Sequence, residues 1–187
     1  MEDEIKNCIG ALQRGGTILY PTDTIWGIGC DATNPEAVSI IYRLKQRMER
    51  KSMIILLDEP ERLRDYISAI PETAFDLIRD SKTPLTIIYP EAKNLAENVV
   101  AEDGSVAIRI VKTDFCRRLI HEFGKPIVST SANISGEGSP ISFRDIVQEI
   151  IRGVDYVVDE SLNDSHEPKP SRIIKLDPDG KFTIIRT

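Results

Sequence analysis

Histidine is scarce in this chain: among 187 residues only His121 and His166 occur, so little imidazole is available for acid–base or metal chemistry. His121 falls inside an expected helix and His166 in a charged loop, neither in a triad-like setting, which argues against a serine-hydrolase mechanism. Cysteine is equally sparse. Cys8, Cys30 and Cys116 are odd in number and lack C-x-x-C spacing, so neither a disulfide framework nor a zinc site is supported. No stretch approaches the ~20 apolar residues that span a bilayer, and the acidic start Met1-Glu-Asp-Glu lacks the basic region of a signal peptide. A cytoplasmic protein without a membrane contact is expected. Basic residues are outnumbered, 24 against 30, giving a net charge of −6, and no basic stripe with interleaved aromatics marks a nucleic-acid interface.

What is present is an ordinary globular composition, 41% apolar and 29% charged, in a length that suits one substantial core. Elements alternate. Helices are expected over Glu2 to Arg14, from the Asn34-Pro35 start, near Glu61 to Tyr66, over Pro71 to Asp80, from the Thr113 cap to Phe123, and from the Ser142 cap to about Arg152, with Asp145 completing a capping box. Strands are expected at Thr17 to Tyr20, Gly27 to Gly29, Met53 to Leu57, Leu85 to Tyr89, Val106 to Val111, Val154 to Val158, Arg172 to Leu176 and Phe182 to Arg186. The last two flank Asp177-Pro-Asp-Gly180, a hairpin turn, so a pure βαβ succession is excluded. The fold class is α/β, a single-domain twisted mixed β-sheet with flanking helices over residues 1–187.

Three polar segments carry the functional signal. In Pro126-Ile-Val-Ser-Thr-Ser-Ala-Asn-Ile-Ser-Gly136 a short apolar strand is expected to end in a cluster of hydroxyl and amide groups suited to an anion. Taken alone, such a cluster is as readily a polar turn satisfying its own backbone. In Gly15 to Asp31, strand, Pro21, a Thr22-Asp23-Thr24 loop and a glycine-bounded run follow one another. The string Gly27-x-Gly29-x-x-Ala32 loosely matches a dinucleotide fingerprint, but Asn34-Pro35 starts the helix too late for it. In Arg43-Leu-Lys-Gln-Arg-Met-Glu-Arg-Lys51 five cations stand against one anion. Val38, Ile41 and Leu44 form a helical stripe that delivers this charge to a helix end. Lys45 and Arg47 can serve one ligand only if the helix stops near Lys45.

The order PTDT-x-x-G-x-G, K-x-R, PLT, R and STSAN-x-SG resembles the YrdC-type threonylcarbamoyl-AMP synthases, over about Gly15 to Pro170-Ser-Arg-Ile-Ile174, in the short form that ends with the catalytic domain. The resemblance implies a YrdC-like fold and a nucleotidyltransferase joining L-threonine, bicarbonate and ATP, with Mg²⁺ accompanying ATP, to form threonylcarbamoyl-AMP and pyrophosphate for N6-threonylcarbamoyladenosine in tRNA. It implies that Lys45 and Arg47 are catalytic and hold the triphosphate. Thr86, Ser131 and Asn133 would serve ATP; Thr22, Lys51, Arg109, Ser129 and Ser171 would serve threonine or its carbamate. No metal ligand from the protein is expected. Removing Lys45 or Arg47 is expected to cost little stability, since both lie outside the apolar stripe. Proteins that complete threonylcarbamoyl transfer to tRNA are implied as downstream partners, with a possible weak contact to tRNA or double-stranded RNA. The chain departs from the family pattern at Met48, Ser52-Met53, Thr83 and Arg172. An RNA- or nucleotide-binding YrdC-like module without this activity is the alternative.

Overall fold

A computed structural model of the chain describes residues 1–46, 53–163 and 169–187. Nine strands form one mixed sheet: β1 (Ile18–Tyr20), β2 (Gly27–Gly29), β3 (Ile54–Leu57), β4 (Leu85–Tyr89), β5 (Val106–Ile110), β6 (Ile127–Ser131), β7 (Tyr156–Val157), β8 (Arg172–Leu176) and β9 (Phe182–Arg186). Their spatial order is β7-β1-β2-β6-β3-β5-β4-β8-β9. Parallel pairs (β1 with β7, β3 with β5, β4 with β8) mix with antiparallel ones, and β8 and β9 form the expected hairpin.

Because strand side chains alternate between faces, β1, β3 and β6 feed two cores. Leu19, Ile28, Ile55, Leu57, Ile87, Ile108 and Val128 join one, covered by α2 (Pro35–Leu44), α3 (Leu63–Tyr66), α4 (Glu72–Asp80) and α6 (Gln148–Gly153). Ile18, Tyr20, Leu56 and Ile127 join the other, covered by α1 (Glu2–Gln13) and α5 (Asp114–Phe123). Those two helices cover only part of their face. The remainder carries Ile54, Ala107, Arg109 and Ser129, and forms the wall of a cavity.

The glycines of β2 answer to crowding. A Cβ at Gly29 would lie 2.6 Å from the Val128 carbonyl oxygen and 2.7 Å from the Tyr20 ring, and one at Gly27 would lie 3.1 Å from Ser129 Oγ. The loose dinucleotide match therefore has a packing origin: Gly27 to Gly29 is a strand, and the helix that follows starts at Pro35, where Asn34 accepts the Glu36 and Ala37 amide N–H groups.

Three expectations are corrected. β6 continues through Ser129, Thr130 and Ser131, because Thr130 and Ser131 pair with Ile28 and Gly27 of β2; the hydroxyls stand on a strand and not on a turn beyond it. The capping box at Ser142 and Asp145 forms, yet it closes only one 3₁₀ turn, Phe143–Asp145; Ile146 and Val147 are extended and α6 begins at Gln148, as two adjacent β-branched residues favour. The strand expected over Val154 to Val158 shortens to Tyr156–Val157.

Candidate active site

A cavity of about 310 Å³ opens on the uncovered part of the sheet. Its wall mixes apolar residues, Met53, Ile54, Ile88, Ala107, Ile173 and Ile185, with the polar Arg109, Ser129, Thr130, Ser131, Ser171 and Arg186. An apolar surface with a few convergent polar groups is the usual make-up of a small-molecule site.

Four of the residues predicted from sequence lie on this wall: Arg109, Ser129, Ser131 and Ser171. Four more stand behind it. Thr22 closes the Thr22 to Ile25 turn, its Oγ1 donating to the Ile25 carbonyl (2.7 Å) and accepting the Thr24 N–H (3.2 Å), while Thr24 itself reaches the cavity. Thr86 Oγ1 lies 2.7 Å from Ser171 Oγ, so it orients the serine that lines the wall. Asn133 donates from Nδ2 to the carbonyls of Ile134 (3.0 Å) and Glu137 (2.7 Å), which fixes its loop. Arg47 and Lys51 lie outside the described residues.

Lys45 is the C-cap of α2, and Gln46 turns left-handed at φ 51°, so the helix stops where one ligand for Lys45 and its neighbours would require. Its side chain is 1% exposed. Nζ donates to the Ser131 carbonyl and, at 2.6 Å, to the Asn133 carbonyl, and the Lys45 carbonyl accepts the Ser135 N–H at 2.9 Å. The expectation that Lys45 matters little for stability is therefore corrected: its amine ties the end of α2 to the loop after β6.

Arg109 is 3% exposed on an inner strand, its backbone flanked by Leu56 and Thr86. Its Nη2 lies 3.0 Å from Asp23 Oδ1. The pair is close but not aligned: both Asp23 oxygens, and Nε and Nη2 of Arg109, are sealed from solvent without a hydrogen-bond partner. Trp26 Nε1 shares that state; its ring lies on the cavity wall and packs on Phe143 at 4.9 Å. Buried unsatisfied groups are costly and rare in proteins, and the Asp23–Arg109 pair brings four such atoms together.

Sequence reasoning missed Asp23, Trp26 and Arg186. Arg186 is turned to the cavity by a bulge: Ile174 pairs with Ile184 but Ile173 pairs with Arg186, leaving Ile185 as an extra residue. Ile185 and Arg186 then both line the cavity, where a regular strand would send them to opposite faces. Arg186 donates from Nε (3.0 Å) and Nη2 (2.9 Å) to the Ser171 carbonyl. Burial first, then the charge of Arg109, hold its guanidinium below the ordinary arginine range. Two cations share this cavity, and an anion bound between them would relieve both. Arg172, a departure from the family pattern, points away; it lines a groove on the opposite face with Ile174 and Phe182.

Among the described residues one group could gather around a metal ion, Asp58, Glu59 and His121. It lies beyond the far end of β3 from the cavity residues Met53 and Ile54, with Asp58 already bonded to Arg62 (2.8 Å) and lying 3.2 Å from His121 Nδ1. No helix among the described residues is long and apolar enough to cross a membrane.

The family model Sua5/YciO/YrdC, described as "Telomere recombination", matches residues 10–187. The chain is 33% identical over 170 residues to the threonylcarbamoyl-AMP synthase of Pseudoalteromonas translucida, covering 89% of this chain and 91% of that protein. It is 34% identical over 137 residues to the threonylcarbamoyl-AMP synthase of Photobacterium profundum, covering 72% and 74%. The structure of P. abyssi Sua5 complexed with L-threonine superposes with a TM-score of 0.84 at 27% identity, covering 94% of this chain; the chain spans about half of that protein, 52%. E. coli YciO, at 21% identity and a TM-score of 0.84, shares the fold, with 100% and 89% of the two chains covered.

Proposed function

Because this chain belongs to the Sua5/YciO/YrdC family, we propose that its cavity is the active site of a threonylcarbamoyl-AMP synthase, with residues 1–187 acting as one catalytic domain. The observation that carries the reading is the cavity wall itself: Arg109, Arg186, Ser129, Ser131 and Ser171 line it together with apolar residues of β4, β5 and β8.

The chemistry needs positioning more than proton transfer. The threonine amine and bicarbonate give a carbamate and water, the C–N bond forming as a C–O bond of bicarbonate breaks; the carbamate oxygen is already anionic near neutral pH and needs no strong base. That oxygen attacks the α-phosphorus of ATP; the new P–O bond forms as the bond to pyrophosphate breaks. The absence of a histidine from the described wall is compatible with this step. Arg109 would pair with the threonine carboxylate, and Arg186 would neutralise charge on the nucleotide. Ser129, Ser131 and Ser171 would donate to threonine, carbamate or phosphate oxygens, with Thr22, Thr86, Asn133 and Lys45 holding the donors in place. Arg47 and Lys51 would add cations for the triphosphate and the carbamate.

The wall offers hydroxyls and guanidinium groups, and the carboxylate beside it, Asp23, is sealed from solvent and set against Arg109. That donor set fits a Mg²⁺ ion carried on the phosphates. Such an ion supplies charge neutralisation at the phosphate oxygens. Delivery of the product to tRNA calls for separate transfer proteins, and a weak RNA contact is the lesser reading for an acidic chain.

The test is pyrophosphate release by the purified chain with ATP and Mg²⁺. Release that requires both L-threonine and bicarbonate supports the proposal; release indifferent to either, or none, overturns it.

A further inference from the structure

We propose that Asp23 is a positioning residue for this site: its carboxylate fixes the Arg109 guanidinium against the cavity and thereby sets the affinity for the amino-acid substrate. The proposal rests on the reading of the cavity as a threonine site.

The backbone at Arg109 is rigid, held between β3 and β4. The guanidinium lies at the end of a long flexible stem, and an arginine can present its fork in several directions. Asp23 restrains it. The aspartate sits in the Thr22 to Ile25 turn, which Thr22 Oγ1 closes through Thr24 N–H and the Ile25 carbonyl. Its side chain is 4% exposed and its Oδ1 lies 3.0 Å from Arg109 Nη2.

Two neighbours sense both charges, Tyr20 of β1 and Cys116 of α5. The Cys116 thiol is pushed up to about 12, by burial first, with Thr113 and Arg109 opposing and Asp23 adding to the rise, and burial pushes the Tyr20 hydroxyl up as well. Both are neutral at physiological pH, so neither competes with Asp23 for the guanidinium. Tyr20 is spent on the Val128 carbonyl (3.2 Å) and Cys116 on the Pro21 carbonyl (3.3 Å).

The pair differs from a purely structural salt bridge. A buried pair kept for the fold is normally hydrogen-bonded throughout, since an unmade bond in a dry interior is costly. Here attraction acts at short range while neither carboxylate oxygen, and neither Nε nor Nη2, has a hydrogen-bond partner. Asp23 therefore holds Arg109 by charge at short range, through Nη2. The guanidinium so held belongs to a residue that lines the cavity, where a carboxylate is the partner its charge calls for.

Asp23→Asn keeps the shape and removes the charge. It should weaken L-threonine binding about 30-fold or more, the scale for losing one partner of a buried charge pair, while the KM for ATP moves less than about threefold. Arg109→Gln should weaken threonine binding at least as much. The double variant Asp23→Asn/Arg109→Gln, which leaves no unpaired charge, should fold and bind threonine no worse than Arg109→Gln alone, because the aspartate acts only through the arginine. Threonine binding is read by calorimetry and both KM values by turnover. Losses that add in the double variant, parallel rises in the two KM values, or a wild-type chain that binds no threonine would overturn the role of Asp23. A wild-type chain that binds threonine but releases no pyrophosphate sinks the proposed reaction; the calorimetric comparison of the variants still decides the role of Asp23.

Discussion

At the scale of single residues, Arg109, Ser129, Ser131 and Ser171 bring β5, β6 and the segment before β8 to one cavity. Arg109 and Ser171 are marked only by the resemblance to the family motifs, Ser129 and Ser131 also by the run of hydroxyls after an apolar stretch. Lys45 shows the limit. A cation at a helix end reads as a solvated charge, yet it is buried and donates to the carbonyls after β6. Lys45→Ala is therefore expected to abolish turnover and also to lower the unfolding free energy by on the order of 3 kcal/mol, about 1–3 for each carbonyl left without its donor. Urea denaturation checks this, and an unchanged midpoint would return Lys45 to a role in ligand binding alone. Asp23 escaped notice because its partner is 86 positions away by number, and no local pattern announces such a pair.

At the scale of elements, what local signals encode was readable and what pairing decides was not. Asn34-Pro35 starts α2, and the hairpin turn joins β8 to β9, as capping and turn chemistry dictate. The length of β6 was misread because serines and threonines look like a turn until β2 is there to pair with them. The bulge in β9 is likewise invisible in Phe-Thr-Ile-Ile-Arg, since register depends on β8. It gives a sharp contrast. Arg186→Ala should raise the KM for ATP about tenfold or more, the worth of a hydrogen bond to a charged group, while Arg172→Ala, on the adjacent strand but facing the other way, should leave it within about twofold. Equal effects of the two substitutions would show that the bulge does not aim Arg186 at the nucleotide.

At the scale of the molecule, two cores account for the placement of the site. One sheet face is sheathed by α2, α3, α4 and α6, the other only in part by α1 and α5, and the cavity occupies what they leave open. The alternating sequence pattern predicts the mixed sheet and its flanking helices; which face stays open follows from the strand order, in which β4, β8 and β9 send no residue to the core under α1 and α5. The central claim is that this one opening brings an amino acid and a nucleotide together. A crystal structure of the chain with L-threonine and a non-hydrolysable ATP analogue tests it most directly. Both ligands should lie in the cavity, the threonine carboxylate on Arg109 and the phosphates between Arg186 and the Ser129 to Ser131 hydroxyls; either ligand bound on a separate face would contradict the account.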